Sequence, residues 1–144
     1  MRCYLLCVTS GSSVDRQSNN VSLFNLVEQV NVPSDAPKPL RAVIPVEIHA
    51  YFQLDPPVSD REIEMRFALR AETGLETFSD TFRRRAPGLR FRVRTVGLPC
   101  PPVTGGYTLN VDLRLADANE DWQRQSASWP LLLAELERRP RVTH

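Results

Sequence analysis

Hydrophobic and polar residues alternate strictly over residues 105–115, which read GGYTLNVDLRL. Tyr107 and every second residue after it are apolar, and the residues between them are polar. A period of two places these two sets on opposite faces of an extended chain. The segment therefore predicts a β-strand with one face in the core and the other face in solvent.

The same alternation recurs over residues 40–54, 61–70 and 89–97. In the first of these segments, Pro45 has no backbone N–H to donate, so we expect a bulge or a sheet edge at that point. The apolar parity of the four alternating segments predicts the core. Its members are Ile44, Val46, Ile48, Phe52, Ile63, Met65, Phe67, Leu69, Phe91, Tyr107, Leu109, Val111 and Leu113.

Three segments are less regular. Residues 2–8 are apolar on both parities, which indicates a strand that is buried on both faces. Residues 21–32 have mixed parity in their first half, which a bulge or a twist between two layers would produce. Within residues 71–88 we expect a short strand near Phe78–Phe82.

The segment 128–139 is compatible with either a helix or a strand. Ser128 is a suitable N-cap and Pro130 a suitable first-turn residue, which favours a helix. The apolar run WPLLLAEL could equally form a closing strand. We expect a strand over about 128–134, because an all-β core gains more from another strand than from an isolated helix.

Together these segments predict an all-β chain that folds as a single antiparallel β-sandwich, immunoglobulin-like or C2-like, with six to eight strands. A chain of 144 residues is an ordinary size for one domain and can bury a sizeable core. We assign residues 1–136 to the sandwich domain and residues 137–144 to a C-terminal tail.

The net charge of +1 gives no general reason to expect a nucleic acid or an anionic membrane as partner. No apolar run approaches the ~20 residues of a membrane span, and the first run is too short for a signal peptide. Cys3 and Cys7 would lie roughly 13 Å apart along a strand, too far for a disulfide. With Cys100 as a third cysteine, we expect reduced thiols without metal and a cytoplasmic location.

No catalytic constellation is visible in the sequence. His49 lies on the polar parity of its segment, where we expect a solvated side chain, and His144 is the last residue. Neither is accompanied by a motif that would supply a nucleophile, a phosphate loop or a set of metal ligands. We therefore expect a protein that is not an enzyme and that holds no cofactor and no metal.

Arginine is the sharpest chemical feature, since Lys38 is the single lysine among 18 basic residues. Arginines occupy the polar parity of both 61–70 and 89–97 and also lie between these segments. If the two strands pair, their outer face is a basic plate for an acidic protein or a polyanion. Nearby glutamates could instead pair with it and leave an ordinary soluble face. The candidate binding residues are Arg66, Arg70, Arg84, Arg90, Arg92 and Arg94.

The order of four sequence motifs resembles that of a known family. They are CYLLCV, VSLFNLVEQV, PSDAPKPLRAVIPVEI and GGYTLNVDL. In this order they resemble an uncharacterised bacterial family of small cytoplasmic β-sandwich proteins, a domain of unknown function. The resemblance implies a sandwich fold and a location in the bacterial cytoplasm. Its motifs are hydrophobic patterns bounded by glycines and carry no catalytic residues.

Three functions follow as hypotheses. The first is a non-enzymatic binding or adaptor module with another protein as partner and no membrane contact. The second is a polyanion or nucleic-acid binder that uses the arginines, less favoured because no aromatic residues interleave them. The third is an enzyme or ligand carrier whose site forms only on folding. The patterns specify neither the partner nor an oligomeric state.

Overall fold

The computed structural model describes residues 1–33, 43–55, 61–86, 88–99, 101, 103–118 and 120–136. Ten strands and no helix form in these ranges, so no described segment is a helix long and apolar enough to cross a membrane. The strands are β1 (Arg2–Val14), β2 (Val21–Leu26), β3 (Gln29–Pro33), β4 (Val43–Gln53), β5 (Glu62–Ala71), β6 (Glu76–Phe78), β7 (Phe82–Arg85), β8 (Arg90–Pro99), β9 (Gly105–Leu115) and β10 (Gln123–Leu136).

The strands form two sheets. The four-stranded sheet has the order β2-β1-β4-β8, and the six-stranded sheet has the order β3-β10-β9-β5-β6, with β7 also paired to β5. Neighbouring strands are antiparallel except β3 and β10, which are parallel. The buried cluster draws on both sheets, so the predicted all-β sandwich is confirmed. The strand number of six to eight is too low, because segments 21–32 and 71–88 each contain two strands.

The core follows the predicted parity closely. All of its predicted members are buried except Phe91, which is half-buried at the sandwich edge. The Phe91 ring stacks on that of Phe52, with 4.8 Å between centroids and 18° between planes. Each large apolar side chain buried in this way contributes about 1.5–3 kcal/mol to folding.

Pro45 lies inside the four-stranded sheet, in a strand with neighbours on both sides. The register between β4 and β8 shifts between Ile44 and Glu47, which marks an irregularity around Pro45. A residue that cannot donate to the ladder is accommodated in this way. The predicted bulge is therefore confirmed.

The mixed parity of residues 21–32 has a simple origin, because the chain crosses there from one sheet to the other. The Val27 amide donates to the Val8 carbonyl, at 2.8 Å, and the Leu132 amide donates to the Glu28 carbonyl, at 2.7 Å. The Trp129 indole also donates to the Val27 carbonyl, at 2.7 Å. The predicted twist between two layers is thus a crossing between sheets.

The C-terminal segment is a strand. β10 runs from Gln123 to Leu136 between β9 and β3, and Leu131 and Leu133 point into the core. The strand interpretation of about 128–134 is confirmed. The predicted tail, residues 137–144, lies outside the described residues.

Candidate functional site

The expected basic plate across segments 61–70 and 89–97 is wrong. β5, which carries Arg66 and Arg70, pairs with β9, whereas β8, which carries Arg90, Arg92 and Arg94, pairs with β4. These strands belong to different sheets, so their arginines do not share one outer face. Proximity in sequence suggested the pairing, but strand partners in a sandwich are often distant in sequence.

Arg66 is held in a packed cluster on the six-stranded sheet. Its Nε donates to Oδ2 of Asp112, at 3.1 Å, and its guanidinium carbon lies 4.0 Å from the ring centroid of Phe78. The Trp122 ring lies 4.5 Å away. Arg124 donates to the same Asp112 carboxylate and also to Glu76, and these hydrogen bonds raise the pKa of Arg124, the one to Glu76 most. The charge of Arg66 is therefore compensated within the sheet, and its guanidinium group is packed between two aromatic rings.

A second ion-pair cluster lies beside it. Oε1 of Glu64 accepts from Arg83 Nη2, at 2.6 Å, and its Oε2 accepts from Arg114 Nε, at 2.7 Å. These two hydrogen bonds lower the pKa of Glu64. Arg70 is exposed on the same sheet, opposite Glu76 in register. On this sheet glutamates neutralise Arg83, Arg114 and Arg124, as in the alternative interpretation, whereas Arg66 is paired with Asp112.

The remaining predicted arginines converge elsewhere. Arg84 of β7 and Arg90, Arg92 and Arg94 of β8 line one cleft of about 710 Å³, together with Arg85. We call this site the arginine cleft. It lies where strands of the two sheets, β7 and β8, face each other. No carboxylate lines it among the residues that the structure describes.

The arginines of the cleft differ in how far they are neutralised. Arg94 Nη2 lies 2.8 Å from Oε1 of Glu47, and Arg84 donates to the backbone carbonyl of Arg83, at 3.2 Å. Arg90 and Arg92 form no ion pair with any residue in the described ranges. Uncompensated guanidinium groups around a concave surface create a local positive potential that attracts anions.

Two tyrosines also line the arginine cleft, and sequence reasoning missed them. The Tyr4 and Tyr51 ring centroids lie 6.2 Å apart, and Tyr51 is directly opposite Arg92 in the β4–β8 register. They come from β1 and β4, far in sequence from the arginines, so no local pattern could join them. The available signal was Tyr51 itself, an aromatic residue on the polar parity of its strand.

His49 is not solvated as expected, because its side chain is only 1% exposed. Its strand neighbour Cys7, directly opposite in register, is also buried. The Nε2 atom of His49 lies 3.1 Å from Oε2 of Glu47, which also accepts from Ser12, at 2.6 Å. Burial lowers the pKa of His49 and favours its neutral form.

The neighbourhood of His49 does not form an exposed reactive site. Burial raises the pKa of Cys7, and a thiol that resists ionisation is a weak nucleophile. Nδ1 of His49 and Oγ1 of Thr9 have no hydrogen-bond partner within the described part of the chain. Across the same ranges, no three His, Cys, Asp or Glu side chains are grouped to hold a metal ion.

No model of a known protein family matches the chain, and no curated protein is similar to it. Membership of the bacterial family that the motifs resemble therefore stays a prediction.

Proposed function

We propose that the protein is a non-enzymatic binding module whose arginine cleft holds an acidic segment of a partner protein. One observation carries this proposal. Five arginines from two strands in different sheets converge on a single cleft, and no described carboxylate lines it. Two of these arginines, Arg90 and Arg92, form no ion pair with any residue in the described ranges, and an anionic partner would compensate their charge.

The residue types in the cleft favour a protein as the partner. Arginine and tyrosine are enriched among the residues that dominate protein–protein binding energy. The guanidinium group binds a carboxylate through two parallel hydrogen bonds, which gives orientation as well as affinity. Tyr4 and Tyr51 supply apolar area with a polar tip beside Arg92.

Single-stranded nucleic acid is the second candidate, and one observation favours it. The Tyr4 ring is half exposed and lies in the same cleft as Arg92, so a base could stack on it while a phosphate meets the guanidinium group. It ranks second because Tyr51, which would have to provide the next stacking surface, is itself half-buried.

We further propose that the protein acts in the bacterial cytoplasm. The resemblance to a bacterial family supports this location, as do two buried free thiols, Cys3 and Cys7. A non-enzymatic role is part of the same proposal.

Binding to two probes tests the proposed function. The first is an octapeptide in which glutamate and valine alternate, and the second is an oligothymidine of about twelve nucleotides. We expect the peptide to bind at low salt and the binding to weaken as salt is added. Binding of the oligothymidine without binding of the peptide would replace the proposal with the second candidate.

A further inference from the structure

We propose that the acidic partner binds as an added β-strand along the open edge of β8, and that acidic and apolar residues alternate along it. This inference rests on the proposed function and specifies how the partner is held and which residue pattern is selected. Addition of a strand to a sheet edge is an established way for proteins to bind extended peptides.

The first argument is the position of β8. In the four-stranded sheet it has β4 on one side, and no strand in the described ranges pairs with its other side. Six consecutive residues of β8, 90–95, line the arginine cleft, so the cleft runs along the strand and reaches both of its faces. Alternate residues of an edge strand direct unpaired N–H and C=O groups outwards. The cleft therefore offers backbone hydrogen bonds to an extended chain.

The second argument is the chemical difference between the two faces of β8. Arg90, Arg92 and Arg94 lie on one face, and Phe91 and Val93 lie half-buried on the other, packed against the core. Side chains that are opposite each other on neighbouring strands share a face. An added strand would thus place every second residue against an arginine and the others against the exposed rim of the core. Acidic and apolar residues in alternation complement both faces.

The length of the site is limited by the geometry of β8. Gly97 has a φ of 88°, so the regular extended conformation ends before it, at an exposed Val96. The regular part, residues 90–95, spans roughly 20 Å at ~3.3 Å per residue. Across the cleft, Phe82 and Arg84 of β7 form the opposite wall. The site therefore accommodates about six residues of a partner strand.

Another explanation of these arginines is protection of the edge. Charged side chains on an edge strand hinder pairing with a second copy of the same chain. Under that explanation, loss of the charges leads to self-association, and no acidic strand binds. Strand addition instead predicts that a suitable peptide binds and that its pattern matters.

The experiment compares two octapeptides of equal composition and charge. In one, four glutamates and four valines alternate, and in the other, the glutamates precede the valines. We expect the alternating peptide to bind at least about tenfold more tightly, since several cross-strand pairs form at once. Hydrogen exchange should slow at every second amide of residues 90–95, those that face the added strand, when it binds. Arg92→Glu should weaken binding, while Arg70→Glu, an equal charge change on the other sheet, should not.

N-methylation of the alternating peptide tests the backbone bonds directly. Two versions are made, one methylated at the odd-numbered amides and the other at the even-numbered amides. One version should lose binding and the other should keep it, because only half of the amides of an added strand face β8. Equal affinity of alternating and block peptides, or no exchange protection along β8, would overturn strand addition and leave the acidic-partner proposal standing. If neither peptide binds, both strand addition and the acidic-partner proposal are overturned. Self-association of Arg92→Glu would then show that the arginines protect the edge of β8.

Discussion

Arg66 and Asp112 lie directly opposite each other on β5 and β9, with 3.1 Å between Nε of the arginine and Oδ2 of the aspartate. The Asp112 side chain is only 3% exposed and also accepts a hydrogen bond from Arg124. A carboxylate at this depth requires its partners, since a buried unpaired charge is costly. The same pairing compensates the charge of Arg66 on the six-stranded sheet.

Replacement of Asp112 by asparagine should therefore destabilise the protein. The amide keeps the shape of the carboxylate but loses the charge that compensates Arg66 and Arg124. We expect the free energy of unfolding to fall by about 1–3 kcal/mol, measured by urea denaturation.

Asp117→Asn is the matched control for this substitution. Its ion pair with Arg61 is solvent-exposed, and exposed pairs contribute little. The free energy of unfolding should change much less than in Asp112→Asn. Equal stability losses in the two variants would contradict the structural role assigned to Asp112.

Arg92→Glu should reduce binding of the alternating peptide by at least about tenfold, because it adds repulsion as well as removing attraction. The remaining affinity should also depend less on salt, since fewer charge pairs are screened. Fluorescence anisotropy of a labelled peptide at low and high salt measures both effects.

Arg70→Glu carries the same charge change on an exposed residue of the other sheet. It should bind the peptide as the unmodified protein does, and both variants should melt within a few degrees of it. A loss of affinity of the same size in both variants would show that overall charge, not the arginine cleft, attracts the peptide.

Stability should decrease as the pH falls through the ordinary pKa of histidine. Burial lowers the pKa of His49 below its usual 6.5 in the folded state. Below about pH 6.5, the unfolded chain therefore binds a proton at this position that the folded protein does not, and folding becomes less favourable. Urea denaturation at pH 7.5 and pH 5.5 should show a smaller loss for His49→Gln than for the unmodified protein.

His144→Gln is the control for the pH dependence, because it removes the other histidine of the chain. It should lose as much stability on acidification as the unmodified protein does. The pKa of Glu47 is lowered from its ordinary value of 4.5, mainly by the hydrogen bond from Ser12. Glu47 therefore changes stability only below about pH 4.5, outside the range from pH 5.5 to 7.5. An unchanged pH dependence in His49→Gln would refute the assignment.

Cys3 and Cys7 should resist alkylation in the folded protein. Both are buried, and burial raises the pKa of Cys3 to about 11. Since the thiolate is the reactive form, iodoacetamide at pH 8 should modify neither residue until urea is added. Mass spectrometry of a Cys100→Ser variant reads out these two thiols alone, and rapid modification without urea would show that the thiols are accessible.

Sequence patterns predicted which residues are buried far better than they predicted which strands are neighbours. Almost every residue that parity assigned to the core is buried, because a strand of a sandwich must bury one face whatever strand lies beside it. The same reasoning misplaced His49, whose side chain is buried although it lies on the polar parity of β4. Parity assigns a face but does not say whether that face meets solvent.

The arginine cleft shows the same limit. Arg84, Arg90, Arg92 and Arg94 line one cleft, but the predicted face that joins them with Arg66 and Arg70 does not form. Strand order depends on contacts between residues far apart in the chain, which a local pattern does not contain. For that reason Arg66 was grouped with β8, and Tyr51, which is opposite Arg92, was overlooked.

The crossing at Val27 and Glu28 has a consequence for synthesis of the protein. β3 follows it directly but pairs with β10, and the bond between Val27 and Trp129 joins residues 102 positions apart. The six-stranded sheet therefore cannot be completed until nearly all of the described chain has left the ribosome. Such non-local pairing gives folding times of roughly milliseconds to seconds. A nascent chain that ends before β10 leaves β9 with an open edge and β3 without a neighbour, and it is in this unfinished form that the protein is prone to aggregate.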